Sequence, residues 1–217
     1  MEEIRRLHTA AWNPKVSSNL ILRQRRSATL VLMENLGALP SQLSCLTVKD
    51  VEQALSGGPE QGRLPRPMVR VRIPRVQLVP VATPVLRHLA DYLVHRHTIF
   101  QASSADEGSG RLLISATTGK PLSPDTIAGD LRVLKRAAGL QHYGRLACSI
   151  RARFIVNLIL CALERPDCPC PPALELLRPV LALAGLRELH SLARYFYLAM
   201  QEVKPHAEAK PRNDAAE

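Results

Sequence analysis

The sequence predicts a mainly helical α+β protein, a helical domain that contains one small antiparallel sheet. Two observations predict this class. Apolar residues recur at helical spacing over most of the chain, as in residues 19–36, whereas Met68–Ile73 alternates apolar residues with arginines. The 217 residues are 46% hydrophobic and 22% charged, which is ordinary for a chain with one globular core.

Capping residues delimit the predicted helices. Ser17 and Ser18 can cap a helix over residues 19–36, and Gly37 can end it. Ser123 caps a second helix that stops at Gly139. Further helices are predicted to start at Pro40 and after Thr83, and to cover about residues 148–163, 172–184 and 187–203.

The predicted sheet is a hairpin. Residues 68–73 and 76–81 form its strands, with a turn at Pro74 and Arg75. Because strand side chains alternate, Arg70 and Arg72 are expected on one face and the apolar residues on the other. Residues 112–115 are predicted as another short strand.

The chain is expected to form one domain with two appendages. Residues 1–18 are predicted as an N-terminal extension, residues 19–203 as the domain, and residues 204–217 as a polar, disordered tail. Gly- and Pro-rich residues 56–67 and polar residues 103–110 are predicted loops.

The charge balance favours a polyanionic partner. Lys and Arg number 29 against 19 Asp and Glu, a formal net charge of +10. Neutralising phosphates with such residues releases counterions and stabilises a complex with nucleic acid. A basic protein without such a partner is the alternative.

The acidic start resembles no secretion signal, and no apolar run approaches the ~20 residues of a membrane helix. A cytoplasmic, nucleoid-associated protein with no membrane partner is therefore expected.

The cysteines predict neither disulfides nor a metal site. Their number, five, is odd, and Cys161, Cys168 and Cys170 surround a Pro-rich turn whose spacing matches no standard zinc site. We therefore expect no metal and no cofactor.

Several strings resemble, in the correct order, the catalytic domain of the tyrosine recombinases, the phage-integrase family. Gly185 precedes Tyr195 at the spacing of the family's Gly-His pair and nucleophilic tyrosine. Upstream, CSIR opens an apolar helix like the family's His-x-x-Arg, while VQLVPV and LLISATTGKPL resemble its hairpin and strand-turn. The resemblance covers roughly residues 19–203.

The resemblance implies six catalytic positions, of which two are unchanged. Tyr195 falls on the nucleophile and Arg151 on the arginine of His-x-x-Arg. The substituted positions are Leu39 on the first arginine, Arg72 on the lysine, Cys148 on the first histidine and Leu186 on the second. A shift of one or two residues would instead select Arg153 or Tyr197.

These substitutions bear on the implied chemistry, phosphoryl transfer through a 3′-phosphotyrosyl link without a metal. One charge-stabilising contact is worth about 10²–10³ in rate. Leu39 and Leu186 can donate no hydrogen bond, Cys148 is a weak donor and Arg72 is a poor general acid. The sequence therefore favours a catalytically inactive DNA-binding protein, a regulator or accessory factor of DNA transactions or transcription, such as those of a mobile element.

Two alternatives stay open. One is an active minimal recombinase that uses Tyr195, with His142 or His190 compensating in part. The other is a helical protein-interaction or RNA-binding module with an accidental likeness. Structural roles are also open: Arg151 as a buried, paired arginine, and Tyr195 or Tyr197 as helix aromatics.

A basic face is expected to contact double-stranded DNA. The resemblance implies a separate N-terminal domain that closes around DNA; only residues 1–18 precede the first matching helix here, so a partner is expected to supply that domain or DNA affinity to rest on the basic face. The family's C-terminal helix also implies docking on a second copy or on another recombinase. The candidate DNA-binding residues are Arg70, Arg72, Arg75, Lys120, Lys135, Arg136, Arg151 and Arg153.

Overall fold

A computed structural model of the chain describes residues 2–56, 68–73, 75–103, 110–142, 144–163 and 173–208. These residues are mainly helical, as predicted. In chain order the elements are α1 (Glu2–Trp12), α2 (Leu20–Leu36), α3 (Pro40–Leu43), α4 (Val48–Ser56), β1 (Met68–Ile73), β2 (Arg75–Pro80), α5 (Thr83–Ser103), α6 (Pro124–Ala137), α7 (Leu146–Leu163), α8 (Ala173–Leu183) and α9 (Ala193–Glu208).

The chain divides into two compact units where the sequence predicts one domain. Unit 1 is Met1–Arg151 and unit 2 is Ala152–Glu217, so the division falls inside α7. The predicted N-terminal extension contains α1, which packs on α2 and α6. At the other end, α9 reaches Glu208, within the segment predicted as a tail.

Local signals set most helix ends. The Ser123 side chain caps α6 by accepting a hydrogen bond from the Thr126 N–H, as predicted. For α2 the prediction was wrong, because the cap is Asn19, whose side chain accepts from Leu22, and not Ser17 or Ser18. Gly37 ends α2 with a φ of 60°, a left-handed conformation that glycine adopts without steric cost.

The two strands pair antiparallel, with Met68 opposite Pro80 and Ile73 opposite Arg75. Val69 faces Val79 across the pair and both are buried, while β1 packs on α3 and α4. The predicted strand over residues 112–115 is reduced to an isolated bridge between Ile114 and Pro121.

The core of unit 1 is built around α2. This helix contacts α1, α3, α5 and α6, and it buries Leu30, Leu32, Met33 and Leu36. Burial of each such side chain contributes roughly 1.5–3 kcal/mol, so α2 holds the surrounding helices together.

An ion-pair cluster joins α2 to α6 inside this core. Asp130 on α6 accepts hydrogen bonds from Arg25 and Arg26 on α2, and the Arg26 Nε–Asp130 Oδ1 distance is 3.0 Å. The three side chains, Arg25, Arg26 and Asp130, are 7%, 8% and 11% exposed. Arg25 also donates to the Ile114 carbonyl at 3.4 Å. Two buried guanidinium groups therefore share one carboxylate.

The longest apolar stretch lies in α7. It spans 18 residues with a mean hydropathy of 1.8, so by length and composition it could cross a membrane. This differs from the sequence-based expectation. Core helices have the same composition, and α7 buries Ile150, Ile155 and Ile159 while also carrying Arg151 and Arg153.

We predict that Asp130→Ala destabilises the protein by about 3–5 kcal/mol, because two buried arginines lose their shared carboxylate. Urea unfolding followed by circular dichroism measures this loss. The matched control is Asp125→Ala in the exposed first turn of the same helix, which should cost about 0.3–1 kcal/mol through the helix dipole. Equal losses in the two variants would show that the cluster is not specially stabilising.

Candidate functional site

The half-buried Arg151 is anchored to the end of α2. Its Nη1 donates a 2.7 Å hydrogen bond to the Gly37 carbonyl. Gly37 is buried, and its own N–H caps α2 by donating to the Met33 carbonyl at 2.9 Å. A charged donor on a buried carbonyl is worth about 1.5–3 kcal/mol, so this contact fixes both the turn and the guanidinium.

Leu39 lies two residues beyond the carbonyl that Arg151 contacts. Its backbone N–H donates to the Gln42 Oε1 at 2.7 Å, which starts α3. The side chain is half-buried hydrocarbon and can donate no hydrogen bond. Unit 1 thus brings together the segments that carry two predicted catalytic positions, one with a guanidinium and one without.

Cys148 lies one turn before Arg151, in the first turn of α7. Its thiol is free and exposed, and its backbone N–H donates to the Arg145 carbonyl at 2.9 Å. The predicted histidine position is therefore accessible to solvent but holds only a weak donor.

The remaining basic candidates of unit 1 differ in their surroundings. Lys120 is exposed in a turn in which the Ser115 N–H donates to its carbonyl at 2.8 Å. Arg136 is exposed near the end of α6. Lys135 is half-buried, and its Nζ donates to the Gly144 carbonyl at 2.9 Å. The side chains of the predicted hairpin residues Arg70, Arg72 and Arg75 lie outside the described part of the chain.

Tyr195 in unit 2 is a buried residue. It is 6% exposed, and the guanidinium of the neighbouring Arg194 lies over its ring at 4.5 Å and donates to its phenol oxygen. Tyr197, the alternative nucleophile position, is 65% exposed. Burial of the Tyr195 ring contributes to packing whether or not its hydroxyl takes part in chemistry.

The segment before Tyr195 differs from the sequence prediction. Gly185 ends α8 with a φ of 63°, and the Leu186 N–H closes the end by donating to Leu181 at 3.0 Å. A 3₁₀ turn at Leu189–Leu192 follows, so α9 begins at Ala193 and not at residue 187. The Leu186 side chain is half-buried and offers no donor.

The two histidines considered as substitutes are both exposed. His190 pairs with Glu188 within the 3₁₀ segment, with 3.0 Å between its Nδ1 and the Glu188 Oε2. His142 lies in the turn after α6. Among the described residues, no group of three His, Cys, Asp or Glu is arranged to hold a metal, and Cys168 and Cys170 lie outside those residues.

Arg153 is held by α9. Its Nη1 donates to the Glu202 carboxylate, and the two side chains are 28% and 41% exposed. Its Nε is buried without a hydrogen-bond partner among the described residues. This intramolecular ion pair competes with any phosphate for the guanidinium.

The buried Arg25, Arg26 and Asp130 were not predicted from the sequence. One signal was present, because Arg25 falls on the stripe that Thr29, Leu32 and Leu36 define at i+4, i+7 and i+11. A charged residue on a buried stripe requires a partner, but the sequence does not indicate which of the carboxylates supplies it.

Two solved structures are similar to nearly the whole chain. A XerA recombinase matches 97% of this chain and 62% of its own, with 19% identity and a TM-score of 0.63. A XerH site-specific recombinase, bound to a palindromic difH substrate in a post-cleavage complex, matches 96% and 51%, with 16% identity and a TM-score of 0.66. No protein-family model matches, and a search of curated proteins gives no significant match.

The predicted tyrosine-recombinase-like catalytic domain is confirmed at the level of the fold. The chain spans about half to three-fifths of the length of these two recombinases.

We predict that Arg151→Met lowers the free energy of unfolding by about 1.5–3 kcal/mol, since the buried Gly37 carbonyl loses a charged donor. Arg153→Met, on the same helix, should cost no more than about 1 kcal/mol, since its ion pair is partly exposed. Urea titrations of both variants test the difference. A loss for Arg151→Met no larger than for Arg153→Met would show that the Gly37 contact does not stabilise the turn.

Proposed function

We propose that this chain is a DNA-binding protein with a degenerate tyrosine-recombinase active site. It acts as a catalytically inactive regulator or accessory factor of DNA transactions or transcription. The observation that carries the proposal is the pairing of Arg151 with the turn that leads to Leu39. The retained arginine has a structural role there, and the neighbouring catalytic position offers no donor.

The other positions support the same interpretation. Leu186 offers no donor, and Cys148 offers only a weak one. Because each missing donor costs about 10²–10³ in rate, several missing donors together leave strand cleavage negligible.

DNA affinity is proposed to come from the basic residues of unit 1. The net charge of +10 and the exposed Lys120 and Arg136 support it, and a recombinase of similar fold was solved with its DNA substrate. Such contacts bind phosphates and position a protein on the duplex without specifying sequence. The protein would then act in the cytoplasm, at the nucleoid.

A further proposed contact is between copies of this chain, or with another recombinase, through α9. Tyr197, Leu198 and Met200 are exposed on this helix, with exposed fractions of 65%, 44% and 36%. Exposed apolar side chains grouped on one helix are typical of a surface that another protein covers.

We predict that the protein binds duplex DNA with a steep salt dependence, measured by fluorescence anisotropy between about 50 and 200 mM salt. The double variant Lys120→Ala/Arg136→Ala should flatten the slope of log K against log salt by about 0.9 for each phosphate that the variant no longer neutralises. The control Lys15→Ala/Arg87→Ala removes the same charge from two exposed residues outside the predicted set and should change the slope less.

Absence of duplex binding by folded protein at low salt would overturn the DNA-binding proposal. Preferential binding of RNA, or equal slopes for the two double variants, would favour the RNA-binding or protein-interaction alternative.

We also predict no covalent adduct between the protein and a nicked suicide substrate, measured by denaturing gel electrophoresis. The alternative, an active minimal recombinase, requires an adduct that Tyr195→Phe abolishes and Tyr197→Phe does not. Such an adduct would overturn the hypothesis of an inactive protein. The variant Leu39→Arg/Arg72→Lys/Cys148→His/Leu186→His restores every substituted position and serves as the test of whether the fold can still support cleavage.

A further inference from the structure

Unit 1 contains a pocket of about 270 Å³ that the proposed DNA-binding function does not use. It lies among α1, α2 and α5 and is lined by Trp12, Gln24, His88, Asp91, Tyr92, Val94 and His95. Tyr92 is 1% exposed, and its hydroxyl accepts from the Ile114 N–H at 3.4 Å. Burial raises the pKa of Tyr92 to about 12, so this wall of the pocket is uncharged.

A hydrogen-bond chain fixes the aromatic side of the pocket. The Trp12 Nε1 donates to the Ser27 Oγ at 3.1 Å, and the Ser27 Oγ lies 3.1 Å from the His88 Nε2. The indole N–H is therefore satisfied within the protein. What the indole offers to a ligand is its aromatic surface, which attracts cations more strongly than the rings of Tyr and Phe do.

Two acceptors in the pocket have no hydrogen-bond partner among the described residues. The Gln24 Oε1 is buried and unsatisfied. The exposed carboxylate of Asp91 takes part in no hydrogen bond or salt bridge there, although the protein has an excess of cationic side chains. A buried unsatisfied acceptor costs about 1–3 kcal/mol, which the N–H donor of a ligand offsets if the Gln24 side chain turns its oxygen toward the pocket.

His88 does not oppose a cation at neutral pH. Burial lowers the pKa of His88, Asp91 opposes that shift, and the nearby His8 adds to it. His88 is therefore neutral at pH 7. Aromatic walls, a carboxylate at the rim and an unsatisfied carbonyl oxygen together favour a planar cation with several donors.

The size of the pocket is sufficient for the end of an arginine side chain. Pockets for drug-sized ligands occupy about 300–1,000 Å³, which is more than this one offers. Around it, Trp12 and Val94 are 39% and 65% exposed, so a chain that delivers the cation can cover apolar surface as well. We propose that this pocket binds the guanidinium group of an arginine that a partner protein presents.

Trp12, the sole tryptophan of the chain, reports on binding directly. Titration of the protein with the peptide acetyl-Ala-Arg-Ala-amide should change its fluorescence in a saturable manner. The matched peptide in which citrulline replaces arginine keeps the shape but not the charge, and it should bind about tenfold more weakly. Equal affinity of the two peptides, or no saturable change, would overturn the proposal.

Variants of the pocket residues test where the arginine binds, and a small guanidinium compound tests whether the arginine must belong to a protein. Asp91→Asn should weaken arginine-peptide binding about threefold to fivefold, and Gln24→Met should also weaken it, while Asp125→Asn on α6 leaves it unchanged. An equal effect of Asp91→Asn and Asp125→Asn would refute the pocket as the site.

Agmatine should bind more weakly than the peptide, and equal affinity of agmatine and the peptide would refute a protein partner.

Discussion

The buried cluster of Asp130 with Arg25 and Arg26 is the interaction on which the rest of unit 1 depends. It joins α2, the helix that most other elements contact, to α6. Two guanidinium groups and one carboxylate leave an excess positive charge in the core, and Arg25 Nε and Arg26 Nη1 have no partner there among the described residues. Such a cluster adds little net stability compared with apolar packing, but it strongly penalises any arrangement that separates its members. It therefore selects one arrangement of α2 against α6.

That arrangement controls the candidate site, because α2 ends where the site begins. Once α2 is fixed, Gly37 and its carbonyl are fixed, and Arg151 can reach that carbonyl only from the first turns of α7. The Gly37 turn then leads directly into the α3 segment, which Leu39 precedes. A guanidinium next to this turn is thus a consequence of packing and needs no bound phosphate to hold it.

The sequence predicted the features that depend on neighbouring residues. Gly37 and Gly139 take up positive φ angles at or beside helix ends, and Ser123 caps α6, because each acts within one turn of its own position. The Asp130 cluster could not be predicted, since Asp130 lies more than a hundred residues from both arginines and several other carboxylates could have paired with them. The Arg153–Glu202 pair escaped prediction for the same reason, so a candidate DNA contact proved to be engaged within the protein. The start of α9 was missed because a 3₁₀ turn and an α-helix share the same local preferences.

The two residues that match the family pattern can be explained without catalysis. Arg151 satisfies a buried carbonyl, and Tyr195 fills the core of unit 2 with its hydroxyl bonded to Arg194. The substituted positions have no comparable structural role: Cys148 is exposed, and the Leu39 and Leu186 side chains need no polar partner. A recombinase site that lost its catalytic function would be expected to keep the residues that also stabilise the fold and to change the others. The six positions follow that expectation where the structure describes their side chains. Arg151 and Tyr195 are kept, and Leu39, Cys148 and Leu186 are changed. It supports the proposal of a protein that binds DNA without cutting it.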